Sequence, residues 1–173
     1  MVMNAARMAD KWFSPLPKTD RTTRLIEKIT VEKSLEERIA IIKELGNSGN
    51  YGAVGSLIEC CQDPDPEIRR SAIGGLHNLR SGRATSILID RLHDKYELPE
   101  IRKSAAAALA AIRSYGALQE LRSRYADGDE DRSLRSFIGG ELDRIQILLN
   151  ATPGSALSSP NAFHAYSCPG LRN

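Results

Sequence analysis

The sequence predicts an all-α solenoid, a row of helical hairpins stacked side by side, and three observations carry that prediction. One phrase is written four times: Glu37-Arg38-Ile39-Ala40-Ile41 through Leu45, Ile68-Arg69-Arg70-Ser71-Ala72 through Leu76 and Leu79, Ile101-Arg102-Lys103-Ser104-Ala105 through Leu109 and Ile112, and Leu134-Arg135-Ser136-Phe137-Ile138 through Leu142 and Ile145. Aligned on the arginine, the copies stand 31, 33 and 33 residues apart, a period at which supersecondary units repeat. A second phrase follows each of the first three copies: Ala53-Val54 with Leu57-Ile58, Cys61 and Asp63; Ala84-Thr85 with Leu88-Ile89, Leu92 and Asp94; Ala117-Leu118 with Leu121, Tyr125 and Asp127. In both phrases the apolar residues recur at the i, i+4, i+8 spacing of one helical face, as at 68, 72, 76 and 101, 105, 109, so each unit is two helices.

Taken in order, residues 1–20 read as a flexible N-terminal segment containing Trp12-Phe13. The stretch 21–33 reads as a helix that caps the array with Leu25, Ile26 and Ile29 turned inward. Units follow near 34–63, 65–94 and 98–127, with a half unit at 131–149; together 21–149 form the repeat domain, about three and a half hairpins. Helix starts are marked by Ser34 three residues before Glu37, by Asp65 before Pro66, and by Asp131 before the fourth copy, whereas Leu98-Pro99 keeps the proline without the cap. Gly49, Gly82 and Gly116 mark the hairpin turns, since glycine ends a helix at little steric cost. The two helices of a unit are expected to share one apolar seam. The small column Gly74, Ala107 and Gly140 is expected where neighbouring helices approach most closely. The two residues missing from the first step belong to the loop between units. Residues 150–173, rich in Ser, Pro, Ala and Gly with Arg172 the one charge, read as a disordered tail.

Composition narrows the functional classes. The 173 residues carry 24 basic and 22 acidic side chains, a net charge of +2, so no whole-molecule field draws the chain to nucleic acid or to an anionic membrane. No apolar run reaches transmembrane length. The three cysteines, Cys60, Cys61 and Cys168, form neither an even disulfide framework nor a metal-ligand spacing, which fits a reducing, cytoplasmic setting.

The Asp…Ile/Leu-Arg-x-Ser-Ala-x-x-x-Leu phrase resembles that of the HEAT repeat proteins, specifically the short variety named after the phycobilisome lyases, over about residues 34–146. The resemblance implies a right-handed α-α superhelix whose second helices line the concave side. It also implies that Asp63, Asp94 and Asp127, ending one unit, form a ladder with Arg69, Arg102 and Arg135, beginning the next. Fold and activity are separable in such scaffolds.

Three families of this architecture carry distinct chemistries. Deoxyhypusine hydroxylase holds two irons with paired His-Glu dipeptides; here His77 precedes Asn78, His93 precedes Asp94 and His164 precedes Ala165, so no metal and no cofactor is expected. The bilin lyases share the scaffold phrases, but Cys61 takes the core place of Leu92 and Tyr125, while Cys60 takes the exposed place of Arg91 and Arg124 without a cationic partner beside it. HEAT-like DNA glycosylases present a basic concave face, whereas the outward positions here mix signs: Glu59 and Cys60, then Ile87, Asp90 and Arg91, then Glu120 and Arg124.

Such a mixed face fits a protein or peptide partner. The functional expectation is a non-catalytic adaptor that holds the partner on its concave face through Glu59, Ile87, Asp90, Arg91, Glu120 and Arg124. The two arginines would pair the partner's carboxylates, with Ile87 as the apolar anchor. A phycobilisome-lyase-type or chromophore-handling protein is the alternative. A nucleic-acid binder is disfavoured by the charge balance, and the half-finished last unit leaves that end open to self-association.

Overall fold

The structure, a computed structural model, describes residues 20–32 and 34–151, with side chains through Leu148. The expectations for residues 1–19, Trp12-Phe13 among them, and for the tail beyond Ala151 lie outside the described residues. Helices α1 (Arg21–Val31), α2 (Leu35–Asn47), α3 (Val54–Cys60), α4 (Pro66–Leu79), α5 (Thr85–His93), α6 (Pro99–Ile112), α7 (Tyr115–Ala126) and α8 (Arg132–Ala151) follow one another, and the described residues contain no strand. Short 3₁₀ turns at Tyr51–Ala53 and Gly82–Ala84 lead into α3 and α5. The fold is thus the all-α solenoid that the repeated phrases predict.

The first turn of each helix leaves N–H groups unpaired, and short polar side chains take them up. Asp65 Oδ1 accepts from the N–H groups of Glu67 and Ile68, with Pro66 fixing the first helical φ. Ser34 Oγ accepts from Glu37, Ser114 Oγ from Ala117, and Asp131 Oδ1 from Leu134. At α6, Leu98 provides no side-chain cap.

Helix ends depart from the expectation. α4 and α6 stop at Arg80 (φ 49) and Arg113 (φ 55), both in the left-handed region, while Gly82 opens a 3₁₀ turn and Gly116 lies inside α7. The N–H groups of Arg80 and Arg113 close the last turns on the carbonyls of Leu76 and Leu109, and a residue with a Cβ bears a conformation that glycine adopts freely. Gly49 (φ 67) is the one of the three hairpin glycines that takes this role.

The hydrophobic core runs unbroken along the stack, through Ile42, Leu57, Ile73, Leu88, Leu109 and Ile138, all withdrawn from water. Each such side chain contributes about 2 kcal/mol by burial. First helices pack on one another in order, α2 on α4, α4 on α6 and α6 on α8. In the first two units the second helices pack chiefly on the first helix of the following unit, α3 on α4 and α5 on α6, whereas α7 packs both on α8 and on α6 of its own unit, the seam expected within a unit. α1 packs on α2 and so occupies the place of a second helix that precedes the first unit.

The close approach also lies one position away from the expected column. Gly74 and Gly140 are exposed, and a Cβ on either would meet nothing within 4 Å. The tight crossing joins Gly46 of α2 to Gly75 of α4: a Cβ at Gly46 would collide with the Gly75 Cα, and one at Gly75 would lie 3.2 Å from the Gly46 Cα and 3.1 Å from Leu57 Cδ1. Backbone meets backbone here, which only paired glycines permit.

Candidate partner-binding face

The recurring arginines are consumed by stacking: Arg69 and Arg135 reach the expected Asp63 and Asp127 only at their main-chain carbonyls, and the carboxylates that pair with Arg69 and Arg102 are others. Arg69 Nε and Nη2 donate to both oxygens of Glu97, each at 2.7 Å, and its Nη1 donates to the carbonyls of Asp63 and Pro64. One unit later Arg102 Nη2 donates to Glu130 at 2.7 Å while its Nε takes the Leu92 carbonyl. In the first unit Arg38 Nη2 donates to Asp63 Oδ2 at 2.5 Å.

The aspartate column works locally instead. Asp63, Asp94 and Asp127 accept from the N–H groups of Asp65, Tyr96 and Asp129, tightening the loop between units. Each rung therefore ties a first helix to the junction loop that ends its own unit. The loop after α3 is too short for a glutamate, and Asp63 stands in.

Glu97 and Glu130 were missed in the sequence, although a signal exists. They stand 33 residues apart, three after Asp94 and Asp127, at the same distance from Arg69 and Arg102. Each carboxylate also accepts the next residue's N–H, from Leu98 and Asp131. Burial works against their charge, with side chains 1% and 4% exposed. Hydrogen bonds from the arginine and the backbone outweigh it and hold both carboxyls below the usual glutamate range.

Of the six residues predicted for the partner, Glu59 and Asp90 are exposed on α3 and α5. Arg91 and Arg124 turn toward the junction loops. Arg91 Nη1 lies 3.6 Å from Glu97 and 3.7 Å from Asp94, and its Nε is buried without a hydrogen-bond partner. Arg124 Nη1 lies 3.3 Å from Asp127 and 3.7 Å from Glu130. Each rung glutamate is thus flanked by two arginines, and these guanidinium groups are engaged inside the molecule rather than held out for a partner's carboxylates. Glu120, half-buried on α7, accepts from Arg124 Nε and meets His93 Nε2 across the gap from α5.

Ile87 is corrected outright. It is 6% exposed and belongs to the core, because α5 packs on α6 and also touches α7, so its covered stripe is wider than a single column. Tyr125 is corrected in the opposite direction: it is 53% exposed, its ring lying over Gly139, where a Cβ would come within 2.8 Å of Cε2.

Cys60 is buried like Cys61, not exposed. Burial pushes the two thiols up to about 11 and about 12, well away from nucleophilic thiolate. Among the described residues no group of three or more His, Cys, Asp or Glu is gathered as metal ligands would be, and no helix is long and apolar enough to cross a membrane.

Residues 22–98 match the family model of the HEAT repeats. No curated protein sequence matches the chain. Among solved structures, human deoxyhypusine hydroxylase in complex with glycerol is similar, with a TM-score of 0.65 and 26% identity over 76% of this chain and 45% of that one. The chain therefore spans less than half of that protein's length. The match is to HEAT repeats at large and does not single out the phycobilisome-lyase variety. With its arginine rungs and stacked helices, the described chain is an all-α solenoid that is similar to the HEAT repeats over residues 22–98, its helical stack continuing through α8.

Proposed function

We propose that the protein is a non-catalytic scaffold whose second helices, α3, α5 and α7, receive a segment of a protein partner. The observation that carries this is the division of charge. The arginines of the rungs and their neighbours Arg91 and Arg124 are spent on internal carboxylates, whereas Glu59 and Asp90 stay exposed, with Glu120 beside them and Tyr125 as an exposed aromatic surface. A face of that sign favours a partner segment carrying Lys or Arg and steers its approach. This reverses the charge logic that Arg91 and Arg124 suggested in the sequence.

The test is affinity capture from native lysate with the wild-type chain and with Glu59→Lys/Asp90→Lys, both exposed positions at which folding is retained. Loss of the captured protein in the variant, together with its release from the wild-type chain as salt is raised, supports the reading. Undiminished capture by the variant removes it.

The likeness to a hydroxylase favours a second reading, an enzymatic one. Incubation with a deoxyhypusine-bearing protein and mass spectrometry for the gain of one oxygen atom would decide it. A bilin-handling role, implied only by the sequence resemblance, would appear as visible absorbance retained on the protein after incubation with a bilin.

A further inference from the structure

A repeat array serves its fold with the residues that recur, so a site is best sought where one unit departs from the rest. The outer surface between α2 and α4 is such a place. At the position that holds Gly74, Ala107 and Gly140 in other units, the first carries Lys43; at the position of Gly46, Ala110 and Asp143, the second carries His77; at the position of Glu44, Ala108 and Glu141, the second carries Gly75. All three departures converge on one groove of about 470 Å³, lined by Lys43, Asn47, Arg70, Ser71, Gly74, Gly75, His77 and Asn78.

Its existence follows from the glycine crossing. Where Gly46 and Gly75 bring the backbones together no side chain covers the contact, and exposed Gly74 adds nothing above it, so the floor is backbone and the walls are the longer side chains to either side. Asn78 Nδ2 donates to Asn47 Oδ1 at 2.8 Å and braces the hairpin end. No carboxylate lines the groove. Arg70 spends Nη2 on Glu67 at 2.6 Å, one of the five donors of its guanidinium. The corresponding groove positions between α4 and α6 are Gly74, Asn78, Lys103, Ser104, Ala107, Ala108, Ala110 and Ala111, with one cation instead of two cations and a histidine.

The geometry points to a binding site for a phosphate monoester in the α2–α4 groove, with Lys43 and Arg70 countering the charge and Ser71, His77 and Asn78 donating to the remaining oxygens. A monoester carries about −1.5 to −2 near neutrality; Lys43 counters one charge and Arg70, shared with Glu67, offers its remaining N–H donors, while the glycine floor lets the oxygens descend to the level of the helix backbones. A phosphorylated small molecule and the phosphorylated side chain of a protein share this chemistry.

The experiment is an amide chemical-shift titration of the full chain with inorganic phosphate and O-phosphoserine, with acetate as the control anion. Expected are saturable shifts at residues 43, 70, 71, 74, 77 and 78, absent with acetate, and a loss of affinity of about tenfold in Lys43→Glu. Gly74→Leu, whose side chain rises from open space into the groove, is expected to abolish the shifts with the rest of the spectrum intact. Should that variant unfold, Lys43→Glu/His77→Gln, at solvent-facing positions, tests the same point. A phosphoserine peptide that binds more tightly than inorganic phosphate assigns a protein source, and equal binding assigns a small molecule. Shifts that do not saturate, or that persist unchanged in Lys43→Glu, overturn the site.

Discussion

Gly74 and Gly75 are adjacent on one helix and answer opposite demands. At Gly74 a methyl group meets nothing, so alanine keeps the helix and lowers the entropy of the unfolded chain. At Gly75 the same methyl would lie 3.2 Å from the Gly46 Cα and 3.1 Å from Leu57 Cδ1, so the packed α2–α4 crossing must give by a few tenths of an ångström. Thermal unfolding should therefore show Gly74→Ala stabilising by up to about 1 kcal/mol and Gly75→Ala destabilising by about 1 to 3 kcal/mol. Equal effects at the two positions would mean that the crossing is looser than described. The sequence could not separate them: the repeat shows that small residues recur near this place, but alignment by unit compares equivalent positions, whereas Gly46 and Gly75 occupy different positions of their units. Ile87 and Tyr125 exchanged their expected environments for the same reason. Periodicity locates the centre of an apolar stripe and says little about its edges, where contact with one neighbouring helix or two decides burial.

At the scale of the elements, the arginine rungs fix how each unit meets the next. Glu97 is nearly enclosed and bonded to Arg69, so Glu97→Ala would leave a half-buried guanidinium without its carboxylate, a loss of about 3 to 5 kcal/mol. The same pairs set an acid limit. Glu97 and Glu130 have carboxyls held below their unfolded value of about 4.3. Their contribution is complete above that pH and is lost as pH falls through the lower, folded value. Denaturant midpoints should hold steady from pH 7 to about 5 and fall below about 4, with a shallower fall in Glu97→Gln/Glu130→Gln. A variant whose acid slope equals that of the wild type would place the limiting carboxylates elsewhere. The all-α solenoid was legible because four phrases repeat it. The rungs were legible only from their arginine side, because the carboxylate moves from Asp63 to Glu97 and Glu130 as the junction loop lengthens, and a strict column cannot follow a partner that changes both residue type and offset. Of the partner face, Glu59 and Asp90 were recognisable as outward positions, while the engagement of Arg91 and Arg124 depends on loops that have no helical period.

For the molecule as a whole, the written repeat and the packed unit are out of phase. A unit read along the sequence joins α4 to α5 through the turn at Gly82–Ala84, yet α5 finds its main support on α6, across the junction loop held by Glu97. A fragment ending at Arg80 should keep nearly the same denaturant midpoint as one ending at Asp94, since the added helix lacks its platform; extension to Arg113 should supply it. Hydrogen exchange would show α5 unprotected in the second fragment and protected in the third, and full protection in the second would contradict the assignment. A piece copied in the apparent frame, from Asp65 through Glu97, carries Arg69 together with its carboxylate but strands α5 at its new edge, away from α6. A piece cut from hairpin to hairpin keeps α5 on α6 but parts Glu97 from Arg69, so each choice of splice point in such an array sacrifices either a rung or a helix platform.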